Sequence, residues 1–278
     1  MQRFIDLHTH TVYSDGSMTP AQLVRHAKEN GLAAIAVTDH DTVSGVSEAM
    51  DEGAHAGLEV IPGIELSAQA DTETHILGFY IDIHNQNLQN ALRKAVDSRR
   101  ERIAKTGEAL KRLGFDIPLH EVFALAPEGL VGRAHYAKLM MEKGYVKSVK
   151  EAFERYLSFG CPAYCGRQAM TARECVELIK ACGGYAFLAH PHLTKKTDGV
   201  LLDFLKELQG YGLDGLEGYY TDYTPEMQQK YQTVAQQLGL KICGGTDFHA
   251  DMKPHIKIGV GLGNLNIPYS VLKNIRDN

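Results

Sequence analysis

Short apolar runs alternate along most of the chain with stretches in which apolar residues recur every three or four positions. Phe4, Ile5 and Leu7, then 33–37 (Ala33-Ala34-Ile35-Ala36-Val37), 58–65, 75–80, 185–189, 213–217 and 240–243 have the length of strands. The most apolar of them, such as 33–37, read as strands buried on both faces. Between the runs lie helix signals. Thr19-Pro20-Ala21-Gln22 is a capping box with proline at the first helical position, and Gly31 ends the helix it opens. Thr171-Ala172-Arg173-Glu174 is a second capping box, closed by Gly183-Gly184; further helices are predicted over 43–56, 200–209 and from Thr224-Pro225 onward. Strand, polar cluster, helix is the grammar of a parallel barrel or a doubly wound sheet.

The grammar changes between about Asn85 and Tyr164. A long polar helix is predicted from Leu88 to Leu113, carrying Arg93, Arg99, Arg100 and Arg102, with shorter helices over His120–Leu125, His135–Glu142 and Ser148–Leu157. For most of these arginines a solvated helix face is the simplest reading. The segment 85–164 is expected to be a helical insertion over one end of the sheet, dividing the barrel domain into 1–84 and 165–278.

The ends of the predicted strands carry the chemistry. His8 and His10, at i and i+2 in an extended segment, point to the same side. Asp15, His40, Glu65, His75, His190, Glu217, Asp247 and His249 stand at or just beyond the other strand ends. In a parallel barrel those ends converge on one face. A single His pair could merely fill a polar barrel mouth, but the recurrence of imidazole and carboxylate at successive strand ends points to a metal centre.

Composition narrows the classes. With 278 residues, 44% hydrophobic, the chain can bury a substantial core. A net charge of -5 argues against a broad basic groove for long duplex DNA. No leader pattern and no apolar stretch of spanning length is present, so a cytoplasmic protein without a membrane partner is expected. The five cysteines, Cys161, Cys165, Cys175, Cys182 and Cys243, show no Cys-x-x-Cys spacing and are expected to be free thiols, mostly buried.

His8-Thr9-His10 with Asp15, Thr38-Asp39-His40-Asp41, Pro62-Gly63-Ile64-Glu65, Thr74-His75-Ile76-Leu77-Gly78, Ala189-His190-Pro191 and Gly245-Thr246-Asp247-Phe248-His249 stand in the order and context of the motifs of the PHP family, named for polymerase and histidinol phosphatase domains. The chain resembles that family over essentially its whole length. The resemblance implies an α/β fold, a distorted parallel (β/α)7 TIM-like barrel. It also implies two or three divalent metal ions (Mn, Fe or Zn) held by a catalytic set of nine ligands: His8, His10, Asp15, His40, Glu65, His75, His190, Asp247 and His249.

Within the family the chain is most similar to small stand-alone members that dephosphorylate nucleoside 3',5'-bisphosphates, some of which degrade short RNA from the 5' end. Arg99 and Gly132-Arg133-Ala134-His135 match that subgroup; Ala134, where proline is usual, and Gly218, where a bulkier residue is usual, depart from it. The implied reaction is hydrolysis of the 3'-phosphate of a nucleoside 3',5'-bisphosphate (pAp to AMP and phosphate), with short 5'-phosphorylated RNA as a further substrate. Arg99, Arg133, His135, His192 and Glu217 are the expected substrate-binding residues.

The alternatives are a histidinol phosphatase or other small-molecule phosphatase, and a non-catalytic metal-binding scaffold, although no second domain is evident for such a scaffold to support. An amidohydrolase would want a carbamate-bearing lysine where Glu65 stands. The chemistry favours phosphate on its own account. Three carboxylates (Asp15, Glu65, Asp247) and neutral imidazoles leave the site cationic once two or three divalent ions bind. Glu65 is the expected bridging ligand. Ser14, Thr38 and Asp39 are expected to orient ligands; His26, His55, His84, His120 and His255 fall away from strand ends and read as surface or packing residues.

Overall fold

The first capping box forms as its sequence predicts. Thr19 Oγ1 accepts from the Gln22 amide at 3.2 Å and Gln22 Oε1 accepts from the Thr19 amide at 2.9 Å, so two otherwise orphaned donors are satisfied at the start of α1 (Pro20–Glu29). The computed structural model describes residues 3–125, 131–158, 160–166 and 169–277. The Thr171 box likewise opens α7 (Ala172–Ala181), as Glu174 Oε2 accepts from the Thr171 amide at 2.7 Å. The remaining helices are α2 (Val46–Ala56), α3 (Gln86–Arg112), α4 (Leu119–Ala124), α5 (Arg133–Glu142), α6 (Val149–Ala152), α8 (Asp198–Gly210), α9 (Pro225–Leu238) and α10 (Tyr269–Arg276). Two boundaries differ from expectation. Helix α2 starts at Val46 because Thr42 and Ser44 bond to each other in a turn ahead of it. Over 148–157 the α-helix gives way after Ala152 to a wider π turn, Phe153–Leu157, whose end lets the Ser158 amide reach Phe153 O at 3.0 Å.

The chain divides into two compact units, 1–90 with 170–278, and 91–169. The first is a nearly closed barrel. Its strands are β1 (Ile5–Thr9), β2 (Ala34–Val37), β3 (Glu59–Ser67), β4 (His75–Phe79), β5 (Tyr185–Leu188), β6 (Leu213–Tyr220) and β7 (Lys241–Gly245), lying side by side in chain order. Pairing is parallel except at β4, which runs antiparallel to both β3 and β5. Connection length explains the exception: a parallel return needs a crossover of about a dozen residues or more, whereas only residues 68–74 join β3 to β4.

Opposite edges of the sheet meet through β1 and the segment after β7. The His10 amide donates to Phe248 O at 2.9 Å and the Phe248 amide to His8 O at 3.2 Å. The buried Asp6 carboxylate accepts from the Thr246 amide (2.9 Å), Thr246 Oγ1 (2.6 Å) and the Gly259 amide (2.8 Å). Gly245 is required at this seam, since a Cβ there would overlap His8. Ile5, Leu7, Ile61, Leu77, Phe79, Phe187 and Cys243 fill the barrel, with Leu272 and Ile275 of α10 packed on the same cluster. Each fully buried Leu, Ile or Phe contributes about 1.5–3 kcal/mol, which holds the strand ends rigid around the polar residues they carry.

The second unit is helical. Ile103, Leu110, Val122, Tyr136, Met140 and Leu157 form its core, and Tyr136 Oη donates to Ile103 O at 2.9 Å. The five cysteines are free thiols, with Cys175, Cys182 and Cys243 buried. Among the described residues no helix is long and apolar enough to cross a membrane.

Candidate metal centre

Strand β1 delivers His8 and His10, both fully buried, to the barrel mouth. Glu65, near the end of β3, is the hub. Its Oε2 lies 3.1 Å from His8 Nε2, 3.3 Å from His10 Nε2 and 3.1 Å from His40 Nδ1; its Oε1 lies 2.8 Å from His75 Nδ1 and 3.0 Å from His190 Nε2. Asp247 Oδ1 sits 3.1 Å from His10 Nε2 and 3.4 Å from His249 Nδ1. Asp15, half exposed, completes the rim at 3.1 Å from His249 Nε2 and 3.8 Å from His40 Nε2. All nine side chains expected as ligands are thus brought together. His190 (φ 26) and Asp247 (φ 55) take backbone conformations that L residues rarely adopt, a local strain that turns their side chains at the strand ends.

Glu65 is hydrogen-bonded to His8, His75 and His190, but the crowding leaves other ring nitrogens unmatched. His10 Nε2 and His40 Nδ1 are buried and within 3.3 Å of carboxylate oxygens, yet neither has a hydrogen-bond partner. These two nitrogens lie close to carboxylate oxygens without the alignment of a hydrogen bond. Overlapping groups converge in this way: His10, Asp15, His40 and His249; His8, His10 and Glu65; His40, Glu65 and His75. This donor set, imidazoles with hard carboxylates, suits Zn, Fe or Mn.

Electrostatics follow from the crowding. Burial alone would raise the Glu65 pKa, but the imidazoles of His40, His8 and His75 hold it well below the usual carboxylate range. Asp247 and Asp15 are lowered in the same way. Burial would lower His10, yet the Asp247 and Glu65 carboxylates push it up to about 10, whereas at His40 burial prevails and the ring falls to about 4.

A ring of polar groups holds these side chains in place. Asp39 accepts from the Thr11 amide (2.7 Å), Thr11 Oγ1 (2.6 Å) and Ser14 Oγ (2.6 Å), and Ser14 Oγ lies 3.4 Å from His10 Nδ1. Thr38 Oγ1 accepts from the Thr9 amide at 3.1 Å. Glu217, expected to bind substrate, is instead fully buried with both oxygens occupied: Oε1 is 3.0 Å from His8 Nδ1 and Oε2 accepts from the His190 amide at 2.6 Å. It therefore orients His8. Two groups escaped sequence reasoning. Tyr220 Oη and Lys253 Nζ both donate to Asp247 Oδ2, at 2.9 and 2.7 Å, fixing that carboxylate so that Oδ1 faces the imidazoles. No spacing or periodicity marks either residue; their roles emerge only in three dimensions.

Of the other expected substrate residues, His192 packs its ring 5.3 Å from Tyr220 and Tyr223, with a buried Nδ1 that has no hydrogen-bond partner among the described residues. Arg99 lies on α3. Arg133 opens α5, where its Nη1 donates to Leu157 O at 2.8 Å and its guanidinium stands over the Tyr164 ring. His135 Nδ1 accepts from the Gly132 amide at 3.0 Å. At Gly218 a side chain would meet Ile242 and Gln232 at 3.0 and 3.2 Å. A larger residue at 218 would therefore press on the packing of β6 against β7 and α9.

Imidazoles gathered around shared carboxylates at the mouth of a seven-stranded barrel define a metal-dependent hydrolase. The PHP domain model matches residues 6–160, and the chain belongs to the PHP domain family. It is 33% identical over 260 residues to the 5'-3' exoribonuclease Rnm of Escherichia coli, covering 91% of this chain and 87% of that one. It is 31% identical over 251 residues to the 3',5'-nucleoside bisphosphate phosphatase of Chromobacterium violaceum, covering 88% and 87%. Its fold superposes with a TM-score of 0.82 and 28% identity on a Bifidobacterium adolescentis protein described as a metal-dependent phosphoesterase, covering 98% of this chain and 95% of that one. The protein is a metal-dependent phosphoesterase.

Proposed function

We propose that the protein removes the 3'-phosphate from nucleoside 3',5'-bisphosphates, leaving the 5'-monophosphate, and that short 5'-phosphorylated RNA is a second substrate. The observation that carries the metal reading is the convergence of five imidazoles on the two oxygens of Glu65. The substrate class is supported by the two relatives above, both of which span most of their length with this chain. His8, His10, Glu65 and Asp247 would hold one ion; Glu65, His75 and His190 a second; Asp15, His40 and His249, with His10 nearby, a third. Manganese, iron and zinc are the candidates. Bound divalent ions supply Lewis acidity toward a phosphoryl oxygen and activate water at neutral pH.

The chain's own groups prepare that chemistry. Once His8 gives up a proton to make room for an ion, the Glu217 carboxylate, 3.0 Å from Nδ1, would keep the remaining proton there and leave the Nε2 lone pair to the metal. Lys253 and Tyr220 hold Asp247 in one orientation. His192 is the candidate for reaching the substrate or protonating the leaving oxygen, because its buried Nδ1 awaits a partner. Preference for two phosphates over one requires a second anion site, for which Arg99, Arg133 and His135 are the candidates; a guanidinium has five donors, and Arg133 spends one on Leu157. The test is phosphate release across adenosine 3',5'-bisphosphate, mononucleotides, histidinol phosphate and short 5'-phosphorylated RNA. The bisphosphate should be turned over fastest, and a preference for histidinol phosphate would replace this reading with its rival.

A further inference from the structure

The cluster is unevenly supplied with carboxylate. Asp15 serves the His249 and His40 side, and Asp247 serves His10 and His249. On the side of His75 and His190, Glu65 contributes only Oε1, and its other oxygen is shared among three further imidazoles. Two neutral imidazoles and a shared carboxylate hold a divalent ion weakly compared with a set that includes a carboxylate of its own.

A candidate for that carboxylate stands beside the two rings. Glu73, His75 and His190 each bring one ligand atom within 4.8 Å of the others. Glu73 sits in the 68–74 connection between β3 and β4, and the connection is held where this placement requires it. Its base closes through the Ala68 amide and Thr74 O at 2.9 Å, its flank through the Gln69 amide and Met170 O at 2.7 Å. Thr72 Oγ1 donates at 2.7 Å to Thr194 O, in the short turn that directly follows His190. The residue next to Glu73 is thus tied to the segment that carries His190.

Two observations point to a ligand there. Glu73 is exposed and makes no hydrogen bond or ion pair to any described residue, so its carboxylate has no structural duty to give up. The two rings also present nitrogens to one place, His75 Nδ1 and His190 Nε2 lying 2.8 and 3.0 Å from a single carboxylate oxygen, Glu65 Oε1. We propose that Glu73 is a further metal ligand, giving the His75–His190 subsite a carboxylate of its own.

This inference rests on the metal-centre reading above, and its test separates the two. The wild-type protein, Glu73→Gln and His75→Ala are loaded with manganese or zinc, and metal per chain is measured by mass spectrometry while a chelator is titrated in. Glu73→Gln removes the charge at an exposed position and keeps the size, and thermal melting of the stripped proteins serves as the check on folding. The expected result is that Glu73→Gln weakens one ion by about tenfold or more, that this is the same ion lost in His75→Ala, and that the rest leave as in wild type. Superimposable release curves for Glu73→Gln and wild type, or weakening of a different ion, would overturn the role of Glu73 while leaving the metal centre intact. A wild-type protein that retains no metal would instead remove the reading on which the proposal stands.

Discussion

Glu217→Gln is the most informative single change, because it alters one charge and almost no volume at a position sealed from water. In the native protein Glu217 Oε1 faces His8 Nδ1 at 3.0 Å and Oε2 accepts from the His190 amide at 2.6 Å. A glutamine offers one acceptor where two are needed. If its oxygen stays with the His190 amide, its NH2 group confronts His8 Nδ1, and the ring must carry its proton on Nε2, the nitrogen that faces Glu65 Oε2 at 3.1 Å. If the amide flips, two N–H groups confront each other at His190. Either arrangement forfeits a charge-assisted hydrogen bond worth about 1.5–3 kcal/mol, equivalent to roughly 10–100-fold in affinity at about 1.4 kcal/mol per decade. The same range is found when a carboxylate behind a metal-binding histidine is lost.

Chelator titration of the loaded protein measures the effect directly. Excess metal should restore most of the turnover, since His8 is misdirected and not removed. Affinity within about twofold of wild type would refute the argument that Glu217 sets the His8 tautomer. Glu217→Ala should be worse, because it also leaves a buried amide without an acceptor, at about 1–3 kcal/mol.

Further outcomes follow from the same geometry. Asp247→Asn or His10→Ala should abolish hydrolysis with the fold retained by circular dichroism, because each removes a group at the centre of the cluster and none from the apolar core; near-normal turnover with full metal content would contradict the assigned roles. Arg99→Ala or Arg133→Ala should slow turnover of a 3',5'-bisphosphate by about 2 kcal/mol or more while affecting p-nitrophenyl phosphate much less, and equal losses on both substrates would assign these arginines to the fold. Metal loading should release protons at pH 7: carboxylates outweigh burial to raise His8 well above its ordinary value and His10 to about 10, so both rings are protonated in the stripped protein. Protons therefore compete with metal below those values, and affinity should climb as pH rises toward about 10. Calorimetry in two buffers of different ionisation enthalpy reads the release, and its absence would contradict the protonation state.

Much of the site was legible because a barrel sends its strand ends to one place. His8-x-His10 needs only the period of a strand to put both rings on one side, and His40, Glu65 and Asp247 follow from the apolar runs that precede them. What depends on three dimensions was not legible. The reversal of β4 follows from a short connection whose length carries no hydrophobic period. Glu217 resembles the other acids at strand ends, and only the structure reveals that it is buried, with its two oxygens against His8 and the His190 amide. Lys253 lies six residues beyond Asp247, in a loop without pattern, and its bond to Oδ2 comes from the path of the chain after β7. Glu73, one acid in an otherwise unremarkable hairpin, gains meaning from the Thr72–Thr194 bond.

If phosphate ester hydrolysis depends on ions held by the imidazole and carboxylate cluster, activity and metal content must rise and fall together. The measurement is phosphate release from adenosine 3',5'-bisphosphate by protein stripped of metal and then reconstituted with manganese, iron or zinc, with metal per chain measured in the same samples. The stripped protein should show no turnover, recovery should track the bound ions, and one phosphate should be released for each 5'-monophosphate formed. Undiminished turnover by protein shown to contain no metal would contradict that dependence.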